Sequence, residues 1–310
     1  MNQSEIDLLL QQGAQTESSV ADLETQTLEP DEWNIILTIL ENAMANQPRS
    51  LQTELGPSEL GTDCLHCLAA KMVGWEQRPT PSWRAWIGTA VHAQHEQVFL
   101  QLNGTNVDDP THPLHWKTEY PVISGHLSGL TAGYDIGGHI DLWDRKTNAT
   151  IDWKIVGPTT LKNVRARGAS QQYQVQASLY GIGLQNQGAQ VDRSCIFFLP
   201  LGELDLRKAI PWEAKFSPVL GQWALERANL LMTFLDLITS QEGKEVRDAW
   251  ITNILPRTGT HCFDCDTFDD SPNIDLLGTK NQTPVPPKWV DLAELLPSTY
   301  TPVSNNNTTK

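Results

Sequence analysis

The chain has 310 residues, 39% of them apolar, with 11 Trp, 5 Cys and a net charge of −15, enough for one large domain with extensions or for two small ones. No stretch approaches the roughly 18 uninterrupted apolar residues of a membrane span, and the start lacks the basic opening and apolar run of a signal peptide, so no membrane partner and a cytoplasmic location are expected. The charge does not exclude nucleic acid, because the acidity lies at the ends: residues 1–63 hold 12 acidic residues and 1 basic one, residues 266–310 hold 6 and 3, and residues 64–265 are left at −1.

In chain order, residues 1–30 are polar and rich in Gln, Glu, Ser and Thr, the composition of a disordered or loosely helical segment. A short helix is expected over 32–45, with Ile35, Ile36, Leu37, Ile39 and Leu40 as its apolar face and Pro48 beyond its end. A packed domain begins near Cys64. Residues 68–75 read as a short helix, and 82–102 as a long amphipathic one burying Trp86, Ile87, Ala90, Val91, Val98 and Phe99. A Gly/Asn/Asp/Pro loop spans 103–113. Strands are expected at 115–123, 131–143 and 149–156, the last two joined as an antiparallel hairpin by the turn 144–148. A basic loop with Lys162, Arg165 and Arg167 precedes a helix over 171–186. A short buried strand at 194–199 and a third long helix over 217–239 follow, Pro218 lying in the first turn of that helix. After Cys265 the composition turns to Pro, Asn and Thr, the mark of a disordered tail. The expected division is an acidic extension at 1–50, a catalytic domain at 51–265 and a low-complexity tail at 266–310. The acidic N-terminus or the tail is a candidate surface for a protein partner.

The chemistry centres on Asp141 and on Asp152-Trp153-Lys154. Strand residues two apart share a face, so Asp152 and Lys154 point together, opposite Ile151, Trp153 and Ile155. The hairpin brings Asp141 beside them. Two adjacent carboxylates repel unless a cation lies between them, and oxygen ligands suit magnesium or manganese. Such an ion activates water, and a neighbouring lysine stabilises the charge of a phosphoryl transition state. Alone, an Asp-x-Lys triplet is more often an exposed charged stripe. Here it follows Gly88-x-x-x-His92-x-x-x-Glu96, three residues on one helical face. Gly88 would permit close backbone approach, His92 would ligate and Glu96 would assist. The stretch His92-x-x-His95-Glu96 lacks the order of a zinc-hydrolase motif, and His95 reads as a surface residue. Gln176-x-x-x-Tyr180 follows at helical spacing. With the basic residues before it, it offers phosphate donors and an aromatic ring that can stack on a base.

These four motifs, in this order, resemble the RecB-like exonucleases of the PD-(D/E)xK superfamily, above all the CRISPR-associated iron–sulfur exonucleases and their phage-encoded relatives, over about residues 56–265. The resemblance implies an α/β restriction-endonuclease-like core, a mixed sheet flanked by helices, in a bacterial or phage-infected cell. By the same resemblance His92, Asp141, Asp152 and the backbone carbonyl of Trp153 bind magnesium or manganese, Lys154 is the catalytic lysine and Glu96 is a supporting helix residue. Gln176 and Tyr180 complete the site and touch DNA with Lys162, Arg165 and Arg167. The expected function is metal-dependent DNA exonuclease action, at single-stranded ends, in recombination, repair or phage DNA processing. The alternative is a non-catalytic DNA-binding or assembly module on the same fold.

Cys64-x-x-Cys67 and Cys262-x-x-Cys265 flank the domain. In a reducing compartment paired cysteines read as metal ligands, and their distance apart suits a staple closing a long loop. Four thiolates accept zinc or iron–sulfur, with His66 and His261 adjacent as substitutes in a zinc site. The resemblance implies a 4Fe–4S cluster, although that family commonly places one cysteine before the core and three after it, where this chain has two and two. Cys195 reads as core.

Overall fold

β-Branched and aromatic residues alternate with polar ones between positions 116 and 156, and three consecutive antiparallel strands result: β1 (Trp116–Ser128), β2 (Gly133–Asp144) and β3 (Ala149–Val156). The computed structural model describes residues 30–45, 55–78, 80–105, 107–130, 133–258, 262, 264–272, 274 and 281–302. The expectations for residues 1–29, for Pro48, for His261 and for the extreme C-terminus lie outside them. The helices preceding the sheet are α1 (Pro30–Ala45), α2 (Leu65–Met72) and α3 (Trp83–Leu102), the last capped by the Ser82 hydroxyl accepting from the Ala85 amide.

The β2–β3 turn is fastened by Asp144. Its carboxylate accepts from the amides of Lys146 and Thr147, from the Thr147 hydroxyl at 2.6 Å and faces His115 Nε2 at 2.9 Å. Asn148 takes the left-handed conformation there, with φ of 51°, which asparagine tolerates. β4 (Arg193–Pro200) pairs parallel to β3, and β5 (Ile210–Lys215) closes the sheet antiparallel, giving the order β1-β2-β3-β4-β5. A parallel step needs a crossover, supplied by α4 (Pro158–Arg167) and α5 (Gln171–Asn186). After β5 come α6 (Val219–Glu242), α7 (Lys244–Asn253), α8 (Cys265–Phe268) and α9 (Pro287–Val290).

Asp152 meets α5 through Gln176, whereas Trp153 meets α3 through His95 and Phe99. Neighbouring strand residues face opposite sides, so the sheet lies between α3 and α5. The protein is thus a mixed α/β fold, a five-stranded mixed sheet flanked by helices. Among the described residues no helix is long and apolar enough to cross a membrane.

Several expectations need correction. α3 buries none of its residues fully, and Ala90 and Val98 are exposed, because it covers only part of the sheet face. The basic "loop" is α4: Gly157 and Pro158 start it and Gly168, at φ of 78°, ends it. The apolar residues of α1 stand exposed, Ile39 at 61%. The region beyond 266 is not a tail throughout. Phe268, Trp289 and Leu296 are buried in the largest core cluster, with α2, α6 and α7. Arg227 of α6 locks that segment in place. Its buried guanidinium donates to the carbonyls of Leu60 at 2.6 Å, Thr62 at 2.8 Å, Pro297 at 3.2 Å and Ser298 at 3.1 Å, and lies over the Trp223 ring.

Candidate functional site

The ladder between β2 and β3 runs only from Asp144–Ala149 to Leu142–Ile151. Beyond it the strands part, and the freed groups find other partners. The Trp153 amide donates to Asp141 Oδ2 at 2.7 Å, so this carboxylate replaces a ladder acceptor. Asp141 Oδ1 then faces His92 Nδ1 on α3 at 3.2 Å. Burial pushes the His92 imidazole down, but the hydrogen bond and charge of Asp141 outweigh it and hold the ring above its usual pKa.

On the α5 face, Asp152 is 3% exposed. Gln176 donates from Nε2 to Asp152 Oδ1 at 3.2 Å and to the Tyr180 hydroxyl at 3.0 Å. Lys154 Nζ lies 2.8 Å from Asp152 Oδ2, yet without the alignment of a hydrogen bond, which leaves that buried oxygen without a directed donor. Burial raises the Asp152 pKa, Lys154 opposes this and Asp141 adds to it. The Lys154 ammonium also lies 5.5 Å from the centre of the Tyr173 ring.

Glu119 completes the set, and sequence reasoning passed it over. It falls between the β1–β2 pairs Thr118–Leu142 and Tyr120–Ile140, opposite Asp141. Its φ of 43° takes it out of the ladder into the left-handed region, at a cost of roughly 1–2 kcal/mol for a residue with a side chain. Its carboxylate, His92 and Asp141 offer ligand atoms all within 4.8 Å of one another. Burial raises the Glu119 pKa first, and the Asp141 charge adds to it. Backbone strain of this kind gathers at functional sites. The available signal was positional: counting back from the hairpin turn puts an acid opposite Asp141.

His92, Glu96, Glu119, Asp141, Asp152, Lys154, Gln176 and Tyr180 all line one cleft. Among the described residues its lining is acidic, with five carboxylates (Glu96, Glu119, Asp135, Asp141, Asp152) against one lysine. An oxygen-rich set with one imidazole fits a divalent ion of the magnesium or manganese class, and the undirected Asp152 Oδ2 is a buried polar atom that such an ion would satisfy. Gly138 is needed here for space, since a Cβ would sit 2.9 Å from Pro57 Cδ and 3.3 Å from Tyr180 Cε1. Gly88 is not: a Cβ there meets nothing within 4 Å, which corrects the expectation of close backbone approach. His95 is half-buried with its ring edge-on to Trp153, not a surface residue. Lys162, Arg165 and Arg167 are exposed on α4 and do not line the cleft.

The second cluster lies in and against the main apolar core, and none of its residues lines the cleft. The helix α2 starts at Leu65 with Cys64 as its cap, and α8 starts at Cys265. This brings Cys67 Sγ to 3.3 Å from both Cys262 Sγ and Cys265 Sγ, and Cys64 Sγ to 3.5 Å from Cys265 Sγ. Cys64, His66, Cys67 and Cys265 form a group suited to a metal, with Cys262 beside it. Burial raises the Cys265 thiol to about 12, whereas the hydrogen bond from Cys67 lowers Cys64; all four sulfurs carry charge together only with a cation among them. Cys195 is outside the group, half-buried on β4.

No family model matches the chain, and no curated protein matches it. Among solved structures it is similar to one described as "Crystal structure of SSO0001", with a TM-score of 0.42 and 12% identity over 63% of this chain and 86% of that one.

Proposed function

We propose that the protein is a divalent-metal-dependent deoxyribonuclease with a PD-(D/E)xK core, acting as an exonuclease on single-stranded ends. The observation that carries this is the convergence of His92, Asp141, Asp152 and Lys154 in one cleft where β2 and β3 part. That convergence joins motifs whose order resembles the RecB-like exonucleases.

His92, Glu119, Asp141 and Asp152 would hold the ion, with the Trp153 carbonyl as the further ligand the resemblance implies. When bound, it supplies an activated water and a polarised phosphate. The protein's own groups do the rest. Trp153 N–H and Gln176 Nε2 each occupy one oxygen of Asp141 and Asp152, fixing both carboxylates in orientation. Among the described residues Lys154 carries the one ammonium in the cleft lining, and it would meet the charge that develops on the attacked phosphate. Glu96, one helical turn after His92, is placed to handle a proton at the leaving or attacking oxygen. The cleft's five carboxylates would repel a phosphodiester unless cations offset them, so substrate entry and metal binding are coupled. Lys162, Arg165 and Arg167 offer phosphate contacts on α4, outside the cleft.

End-labelled single- and double-stranded DNA, incubated with and without manganese, tests this directly. Metal-dependent release of nucleotides from single strands is expected. Cleavage that persists in EDTA, or tight DNA binding with no turnover in any metal, overturns the nuclease; the second outcome favours the non-catalytic module.

A further inference from the structure

The cysteine centre departs in geometry from the cluster that the motif resemblance implies. Three of its sulfur pairs are in contact, at 3.3 Å for Cys67 with Cys262 and with Cys265, and 3.5 Å for Cys64 with Cys265. Four thiolates around one tetrahedral zinc, at bonds of about 2.3 Å, stand about 3.8 Å apart. The observed sulfurs reach that spacing by small outward movements. A 4Fe–4S cluster holds its thiolates on the outside of a body of irons and sulfides. Sulfurs that touch leave no space for that body. The arrangement in two Cys-x-x-Cys pairs is also the ligand spacing of closed tetrahedral zinc sites.

The surroundings fit the same conclusion. His66 is fully buried, and its Nδ1 faces the Sγ atoms of Cys67 at 3.7 Å and Cys265 at 3.9 Å. Its Nε2 faces Asp270 Oδ1 at 3.2 Å, to which a protonated Nε2 donates, with Arg257 Nη2 beside it at 3.0 Å, and Arg257 itself pairs with Asp270. Anchored at Nε2, the imidazole turns Nδ1 toward the sulfurs, where a protonated Nδ1 donates to a thiolate and orients it, as groups hydrogen-bonded to metal ligands do. Four thiolates on a divalent ion leave two excess negative charges, and the Arg257 guanidinium lies on that side.

The geometry points to a single tetrahedral ion of the zinc class bound by Cys64, Cys67, Cys262 and Cys265, with His66 as a positioning residue, in place of a four-iron cluster. Its failure and that of the nuclease reading are distinguishable, because Asp152→Asn loses cleavage while keeping this ion.

The test is metal and sulfide analysis of full-length protein, purified without oxygen from cells supplied with both iron and zinc. One zinc per chain, no acid-labile sulfide and no visible absorption are expected. Chelator-stripped protein is then offered ferrous iron, sulfide and zinc together under nitrogen; zinc uptake without brown colour is expected. Cobalt in place of zinc should give the intense visible bands of a tetrahedral thiolate site. His66→Ala should keep those bands while weakening zinc retention 10–100-fold, and Cys195→Ser should change nothing. Iron and sulfide in equal amounts with a broad visible absorption, in either preparation, overturn the proposal. So does loss of the ion on Cys195→Ser with retention on Cys262→Ser.

Discussion

The two clusters of side chains that could hold a metal are built on opposite plans. The cysteine centre joins residues 201 positions apart, is nearly closed to solvent at Cys64 and Cys67, and has its neighbouring histidine pinned by Asp270 and Arg257. The cleft draws its groups from two helices, α3 and α5, and three strands, is open, and keeps a buried carboxylate oxygen without a directed donor and a strained Glu119. A closed set of donors holds a fold together, whereas an open one with unspent capacity can bind and release a substrate. Breaking the first should therefore cost stability, and breaking the second should cost turnover.

The largest effect is expected from Asp152→Asn. It keeps the shape of the Gln176 contact but removes the ligand charge, so cleavage should fall on the order of 10³-fold or more while Tm moves by only a few degrees. Comparable rates for the two proteins at saturating manganese would sink the cleft as the catalytic site. Cys67→Ser is the mirror case. Its sulfur touches two others, and metal binding there is coupled to folding. A fall of roughly 10 °C in Tm is expected, about 3 kcal/mol, with residual activity of the folded fraction preserved. Unchanged melting would show that the centre is not a staple.

Glu119 sharpens the contrast within the cleft itself. Glu119→Gln should raise the manganese concentration needed for half-maximal activity about 10–100-fold. Glu119→Gly relieves the left-handed backbone and should gain about 1 kcal/mol of stability while losing the same activation. A glycine variant both less stable and fully active would leave the strain without function. A smaller effect is expected from replacing Lys162, Arg165 and Arg167 together by Ala. Each exposed cation released from phosphate lowers the salt dependence of binding, so the slope of DNA affinity against salt should flatten with little change at the chemical step.

The smallest effect belongs to the hairpin that carries Asp141 and Asp152. Burial pushes the Asp144 carboxyl up, but the Thr147 hydroxyl, His115 and two turn amides outweigh it and hold its pKa below the usual value. A depressed folded pKa contributes stability that is fully present above the unfolded pKa of about 4 and is lost as pH falls through the folded one. Asp144→Ala should thus cost on the order of 1–2 kcal/mol at pH 7, and the gap between variant and parent melting should narrow below pH 4. A gap independent of pH would assign the loss to packing.

Much of the cleft was legible because strand and helix periods are short-range rules. Asp152 and Lys154 share a face, His92 reaches Asp141 from the preceding helix, and Gln176 reaches Asp152 from the following one. Glu119 was not, because a left-handed residue breaks the alternation on which strand reading depends. α4 was missed since its charge outweighed the Pro158 and Gly168 signals at its ends. The segment 281–302 was hidden by its Pro/Asn/Thr composition. Its two anchors, Trp289 and Leu296, are buried against helices far back in the chain, a relation no local pattern encodes.

Arg227 gives this molecule an order of assembly. Two of its four carbonyl acceptors, Leu60 and Thr62, are made before it, and the other two, Pro297 and Ser298, are made after it. On a ribosome the strands of the cleft emerge before either set of partners can be joined. Cys64 and Cys67 wait for Cys265 across 201 residues, an interval of about 10–40 s at roughly 5–20 residues per second. During that time the first thiol pair stands without the second, and the arrival of Cys262 and Cys265 completes the set.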